Sequence, residues 1–405
     1  MDFPFNRLRR WPDVEADNLQ AYDATDLLLV ERALSLGIDG REIAVIGDEY
    51  GAITLALTDA GLDGIRVHQD LATGRRALAR NAAELDLAGF SSHELDATLL
   101  DGVRLVLLQL PKALAELEQI ADAVTRWAAP DAVLVAGGRV KHMTIAQNEV
   151  LGRSFAEVQA ERAVRKSRLV VASAPSPAPS DPPFPVTARH DGLVLVAHGG
   201  AFAGARLDIG TRVLLEALRQ AQGPRQPQGP RQPQELRQAQ GPSGGQASSA
   251  GWVAEPVEAT PAETVVDLGC GTGALAASYA LAHPESRVIA TDRSAAAVAS
   301  ARATVAANGV ADRVTVMHDD AGSELADASA DAVLLNPPFH LGNSVHTGAA
   351  TRLFEAAARI LRPGGELFTV YNSSLGYRAE LTRLVGATEQ VHRTPKFTVT
   401  RSIRR

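Results

Sequence analysis

Two stretches of this chain can be laid on each other without a gap: EIAVIGDEYGAITLAL (Glu42–Leu57) matches TVVDLGCGTGALAASY (Thr264–Tyr279). Further along, RLVLLQLPKA (Arg104–Ala113) falls on DAVLLNPPFH (Asp331–His340). A match at two separate places points to an internal duplication, beyond the loose likeness any two α/β halves share. Each copy of the first pair passes from a β-branched apolar run through a glycine turn into an alanine- and leucine-rich helix. Repetition of that unit predicts βαβ elements and a largely parallel sheet in each half.

In the C-terminal half the pattern predicts strands near Thr264–Leu268, Arg287–Thr291, Val314–Met317, Ala332–Leu335 and Glu366–Val370. Helices are expected over Ala274–Ala282, Ala295–Asn308 and Thr351–Leu361. The N-terminal half offers strands at Ile43–Ile46, Val103–Leu108 and Ala132–Val135. At 405 residues the chain is long enough for two cores. The expected organisation is a degenerate N-terminal copy over 1–172, a proline-rich linker at 173–188 and a working copy over 189–405. A Gln/Gly/Pro/Arg-rich insertion at about 219–258 has almost nothing to bury and reads as a disordered loop.

Hydrophobic content of 45% with 21% charged residues describes a soluble globular protein. A net charge of −7 excludes a polybasic nucleic-acid coat, so any RNA contact must come from local patches. A single cysteine, Cys270, excludes a disulfide framework. Nothing resembles a signal peptide or a bilayer-spanning run, so a cytoplasmic protein with no membrane partner is expected.

VVDLGCGTG places Gly269, Gly271 and Gly273 on a strand-to-helix turn, where backbone can approach a ligand and helix N–H groups are free. Asp267 stands two residues before the first glycine. A carboxylate there would repel the pyrophosphate of a dinucleotide, whose fingerprint is GxGxxG. GxGxG with the acid in front suits a phosphate-free ligand with a cationic amino-acid moiety, S-adenosylmethionine. The next strand ends at Asp292, placed to accept from ribose hydroxyls. Of the following pair, Asp319 and Asp320, we assign Asp320 to the adenine amino group; a solvated acidic turn is the alternative. Cys270 reads as a small packing residue, and no metal-ligand set is read.

The fourth strand ends in Asn336-Pro337-Pro338-Phe339-His340. The Asn336 side-chain oxygen and the Pro337 carbonyl can accept both hydrogens of an exocyclic amine and aim its lone pair at a methyl donor. The two prolines preorganise these acceptors, and Phe339 can stack on a base. His340 either lines the pocket or bonds locally. In the N-terminal copy Val45 replaces Asp267, Glu49 replaces Gly271, and Gln109-Leu110-Pro111-Lys112 replace Asn336 to Phe339. That copy should not bind the cofactor and is left a supporting or RNA-docking role. Arg7, Arg9, Arg10, Arg139, Lys141, Arg165, Lys166 and Arg168 are candidate RNA contacts, each also readable as an ordinary surface charge.

VDLGCGTG, NPPFH, ARLDIGTRVLLEAL and the ending PKFTVTRSIRR together resemble the bacterial two-domain ribosomal RNA guanine-N2 methyltransferases. RWPDVEADNLQAYDATDLLLVERAL and LPKALAELEQ are more similar to the large-subunit enzymes than to their small-subunit relatives. The resemblance covers nearly the whole chain except the insertion. It implies two tandem class I (Rossmann-like) methyltransferase domains with only the second active, S-adenosylmethionine as cofactor and ribosomal RNA as partner. It also implies that Asp208, Gly210 and Thr211 cap the pocket, with Asp208 and Thr211 among the cofactor-binding residues, and that residues 336–339 bind the guanine. Adenine-N6 and glutamine-N5 methyltransferases also carry NPPF-type motifs and remain alternatives, as does a non-enzymatic RNA-binding factor. GxGxG spacing disfavours a nicotinamide dehydrogenase. Two fused similar domains make a monomer reasonable.

Overall fold

The computed structural model describes residues 2–16, 18–221, 262–338 and 347–405. The N-terminal half runs α1 (Ala24–Leu36), β1 (Ile43–Ile46), α2 (Ala52–Asp59), β2 (Ile65–His68), α3 (Ala72–Leu85), β3 (Phe90–Ser92), α4 (Ala97–Leu100), β4 (Leu105–Gln109), α5 (Leu114–Trp127), β5 (Val133–Arg139), α6 (Ile145–Leu151), β6 (Phe155–Ala160) and β7 (Ser167–Pro175). A hairpin, β8 (Val186–His190) and β9 (Leu193–Ala197), leads into α7 (Ile209–Ala221). The C-terminal half follows with β10 (Thr264–Leu268), α8 (Ala274–Ala282), β11 (Arg287–Asp292), α9 (Ala295–Ala307), β12 (Val314–His318), β13 (Ala330–Leu335), α10 (Thr347–Ile360), β14 (Leu361–Asn372), α11 (Arg378–Leu384), β15 (Thr388–Arg393) and β16 (Phe397–Ile403).

The two seven-stranded sheets have the same order, β3-β2-β1-β4-β5-β7-β6 and β12-β11-β10-β13-β14-β16-β15. The duplication expected from the sequence is therefore a duplication of topology. Central strands such as IAVI and LVLL are buried throughout because helices cover both sheet faces. In each sheet one strand, β7 or β16, runs antiparallel to both its neighbours, so the edge strands β6 and β15 again point the same way as the parallel strands. In the second sheet the order reverses between β10 and β13, which places a crevice at their C-terminal ends.

Several boundaries differ from the sequence expectation. β5 continues through Gly137 and Gly138 to Arg139, because those glycines pair with β7. β14 reaches from Leu361 to Asn372 across an irregularity at Pro363–Gly365, longer than the expected 366–370. α10 begins at Thr347, ahead of Thr351. β7 extends to Pro175 and β8 starts at Val186, so both ends of the proline-rich stretch lie in strands. Gln220 and Ala221 close α7, and residues 222–258 of the insertion lie outside the described residues.

The halves meet through a pseudo-twofold contact. Ala72 N–H donates to the Arg293 carbonyl and Ala295 N–H to the Asp70 carbonyl, each at 2.8 Å, around a bridge between Leu71 and Ser294. The Asp70 carboxylate caps α9 of the other half, accepting from Ala296 N–H at 2.9 Å and Ser294 Oγ at 3.1 Å. Arg76 of α3 reaches Asp319 at 2.8 Å and Glu324 at 3.1 Å. Among the described residues, no helix is long and apolar enough to cross a membrane.

Candidate active site

The turn after β10 opens on a cavity of about 350 Å³ at the crevice of the second sheet. Gly269, Cys270, Gly271 and Thr272 line it together with Asp292, Asp320, Asp208, Thr211, Asn336, Pro337 and Pro338. Nothing lies within 4 Å of where a Cβ on Gly269 or Gly271 would stand. Both have positive φ, 79° and 54°, so glycine here serves the backbone as well as the space in front of it.

Two sequence-predicted residues sit behind this wall. Gly273 begins α8 beneath α9, where a Cβ would come within 2.9 Å of the Ala301 Cβ. Asp267 is fully buried; its Oδ2 accepts from Ala276 N–H at 3.0 Å, and its Oδ1 has no partner among the described residues. Burial, with nearby Asp292 adding to it, lifts the Asp267 carboxyl to about 7. Asp292 does face the cavity. It accepts from Gly271 N–H and Ser294 N–H at 2.9 Å each, and burial raises its carboxyl despite those bonds. A carboxylate has about four acceptor positions, so two stay open.

The acidic pair after β12 divides its work. Asp319 is wholly buried and committed to Ser323 Oγ at 2.5 Å, Glu324 N–H at 2.9 Å and Arg76. Burial pushes its carboxyl up, but these donors outweigh that and hold it below the usual range. Both residues belong to the cavity lining; Asp320 is paired there with Arg352 of α10.

Asn336 carries the most specific geometry. Its Nδ2 donates to Asp208 Oδ2 at 2.9 Å and to Thr211 Oγ1 at 3.0 Å. A carboxylate can only accept, so the amide nitrogen must face Asp208, which fixes the flip of the side chain. Asn336 Oδ1 is then left buried, with no partner among the described residues. Asp208 also accepts from Thr211 N–H at 3.1 Å, tying the acceptor pair to the start of α7. Phe339 and His340 lie outside the described residues.

Sequence reading did not single out Phe202, Arg206, Arg293, Arg352 or Leu353, all of which line the cavity. Phe202 and Arg206 follow the β8–β9 hairpin, which the sequence reading also missed. Its signal was present: Asp191-Gly192 ahead of the apolar run Leu193–Ala197, with both residues at positive φ, makes a tight hairpin turn. Of the candidate RNA-contacting cations, Arg10 is held by Asp13 and by the Val14 and Gln20 carbonyls, with its guanidinium over the Tyr50 ring. Arg7 bonds the Glu84 carbonyl, while Arg139 and Arg165 pair with Asp23 and Glu31. Arg9, Lys141 and Lys166 are exposed, and Arg168 is partly buried.

The doubly wound sheet, its glycine turn and the oriented asparagine define a Rossmann-like methyltransferase. The pattern of the methyltransferase small domain matches residues 250–401, and that of the RLMG N-terminal domain matches residues 2–176. The ribosomal RNA large subunit methyltransferase G of Streptomyces coelicolor is 33% identical, over 98% of this chain and 97% of its own. That of Pseudomonas paraeruginosa is 34% identical over the same shares. The chain belongs to the ribosomal RNA large subunit methyltransferase G family. In fold it is similar to a T. thermophilus 16S rRNA N2 methyltransferase solved with AdoMet and guanosine, at a TM-score of 0.69 and 21% identity, covering 95% of this chain and 92% of that one.

Proposed function

We propose that the C-terminal half transfers a methyl group from S-adenosylmethionine to the exocyclic N2 amine of a guanine in large-subunit ribosomal RNA. The observation that carries this reading is the buried Asn336 Oδ1, which has no partner among the described residues and is turned away from Asp208 and Thr211. An aryl amine delocalises its lone pair into the ring. Asn336 Oδ1 and the Pro337 carbonyl, taking one amine hydrogen each, turn the nitrogen towards tetrahedral geometry and release that pair for attack. Because the acceptors are held before substrate arrives, little reorganisation remains at the transition state. The proton leaves after attack, so no strong base is needed.

The residues present fit the cofactor. Gly269 and Gly271 leave the space in front of them open, and Asp292 keeps acceptor positions for ribose hydroxyls. To Asp320, which lines the cavity, we assign the adenine amino group, and to Asp267, buried behind the turn, a preference for a cationic ligand. When bound, S-adenosylmethionine supplies an electrophilic sulfonium methyl. Asp208 and Thr211 act through Asn336, and Phe339 retains its proposed stacking role. The relatives' names support the large subunit as target, and the ligands of the T. thermophilus enzyme support base and cofactor. The two halves are joined within one chain by their own pseudo-twofold contact, and we take the protein to act in the cytoplasm as a monomer.

The test offers methyl-labelled cofactor with large-subunit RNA, small-subunit RNA and total protein in parallel. Label recovered as N2-methylguanine from large-subunit RNA is the expected result. Label on glutamine, or on adenine, would instead identify one of the two related NPPF chemistries.

A further inference from the structure

Between β9 and α7 the chain crosses from the domain contact to the mouth of the cavity in nine residues, His198 to Arg206. Both sides of the molecule grip its first part. Gly199 N–H donates to Gln119 Oε1 of α5 at 2.6 Å, so Gln119 Nε2 faces His198 Nδ1, 2.9 Å away. Nδ1 must then accept, which requires neutral imidazole; burial lowers the His198 pKa in agreement. His198 N–H is bonded to Ser300 Oγ of α9 at 2.9 Å. Gly199 packs so tightly on α5 that a Cβ there would stand 2.2 Å from the Ala115 carbonyl oxygen. The far part of the segment is different: Phe202 is 67% exposed at the cavity rim, and Arg206 beside it is exposed as well.

A single exposed ring is ordinary on a protein surface; what sets Phe202 apart is that it stands in the lining of the cavity together with Arg206. Beside an arginine it has the make-up of a nucleotide contact, with a π-face for a base and a cation for a phosphate. We propose that the segment His198–Arg206 docks the RNA substrate, Phe202 stacking on a nucleobase at the cavity mouth and Arg206 meeting a phosphate, with Gln119 of the N-terminal half as the positioning residue. The degenerate half thereby shapes the working site without binding cofactor. This rests on the methyltransferase reading above.

The test uses the full chain, large-subunit RNA and labelled S-adenosylmethionine, with cofactor Kd measured by calorimetry. Phe202→Ala should raise KM for RNA about tenfold or more while cofactor Kd holds, and Phe202→Trp should restore KM. Gln119→Ala should raise the same KM about three- to tenfold, the size of about one net hydrogen bond. Unchanged KM in Phe202→Ala overturns the proposal. So does a matching loss of cofactor affinity, which would move Phe202 to the cofactor side. A Gln119→Ala protein that melts earlier but keeps its KM overturns the positioning role. If the unaltered chain labels no RNA, the methyltransferase reading fails first, a result distinct from all of these.

Discussion

The two halves share a strand order, a leading helix and a glycine turn, and differ in what fills the C-terminal edge of the sheet. In the C-terminal half Gly269 faces open space and Asn336 holds a spare oxygen. In the N-terminal half the matching Gly47 faces Gln109, whose Cβ lies 3.3 Å from where its own would be. Gln109 in turn donates to Asp26 of α1, as Asn336 donates to Thr211 of α7. The helix-capping carboxylate has changed position. Asp267 in β10 serves Ala276 N–H; Asp48 in the N-terminal turn serves the equivalent Thr54 N–H at 2.8 Å. The cap that helix α2 needs was kept, and the space in front of Gly47 is taken by Gln109, leaving a cavity of about 320 Å³ beside it that residues of the other half, such as His198 and Ala296, help to wall. A duplicated domain thus holds on to what folds it and lets go of what only chemistry requires.

The largest expected contrast is at the strand ends. Asn336→Ala should slow methyl transfer about 10²–10³-fold, roughly 3–4 kcal/mol, with cofactor Kd nearly unchanged. Gln109→Ala should leave turnover where it was; single-turnover rates of the two variants make the comparison. Next, Asp292→Ala should weaken cofactor binding by about 1.5–3 kcal/mol, because charge-assisted acceptors are lost. The same change at Gln69, which holds the matching position after β2 and accepts from Leu71 N–H as Asp292 accepts from Ser294 N–H, should not register in calorimetry.

Acidity offers a third contrast. Burial, reinforced by Asp48, raises Asp26 to about 8, as burial raises Asp267 to about 7. Raised carboxyls contribute stability at low pH that is lost as pH climbs through the folded value, here to about 8 for Asp26 and about 7 for Asp267. A cationic ligand reverses that cost only in the half that binds it. Cofactor affinity should therefore strengthen as pH rises through 7, by at most about tenfold per unit. Flat affinity from pH 6 to 8 would remove Asp267 from cofactor recognition. The smallest effect concerns the seam: Arg76→Ala leaves Asp319 buried with two donors in place of three. About 1–2 kcal/mol of stability should be lost on a denaturant curve, reduced from the buried-pair range because Arg76 is partly exposed.

Much of this was legible in the residues themselves. The apolar β-branched runs ending at Leu268 and Leu335 announced strands, and the spacing of Gly269 and Gly271 announced a turn with open space before it. Strands broken by glycine, such as β5 through Gly137 and Gly138, were read too short because their pairing partner β7 is remote in sequence. The hairpin of β8 and β9 was overlooked beside its proline-rich neighbour. Asp267 and Gly273 share one motif with Gly271 yet lie behind the cavity wall, since alternation along a strand and the start of a helix decide which way each faces.

By itself the sequence determined that there are two similar α/β halves, which of them ends its fourth strand in Asn336-Pro337-Pro338, and which has lost the glycine at the position of Gly271. Those are local matters of residue type and spacing. Only the tertiary structure decided that Asp208 and Thr211 take the Asn336 amide nitrogen and free its oxygen, that Asp319 is spent on Arg76 while Asp320 faces the cavity, and that Gln119 of one half anchors the rim of the other. These contacts join positions about 80 to 240 residues apart, and a hydrogen bond across such a span follows from how helices pack on a sheet, which periodicity along the chain does not encode.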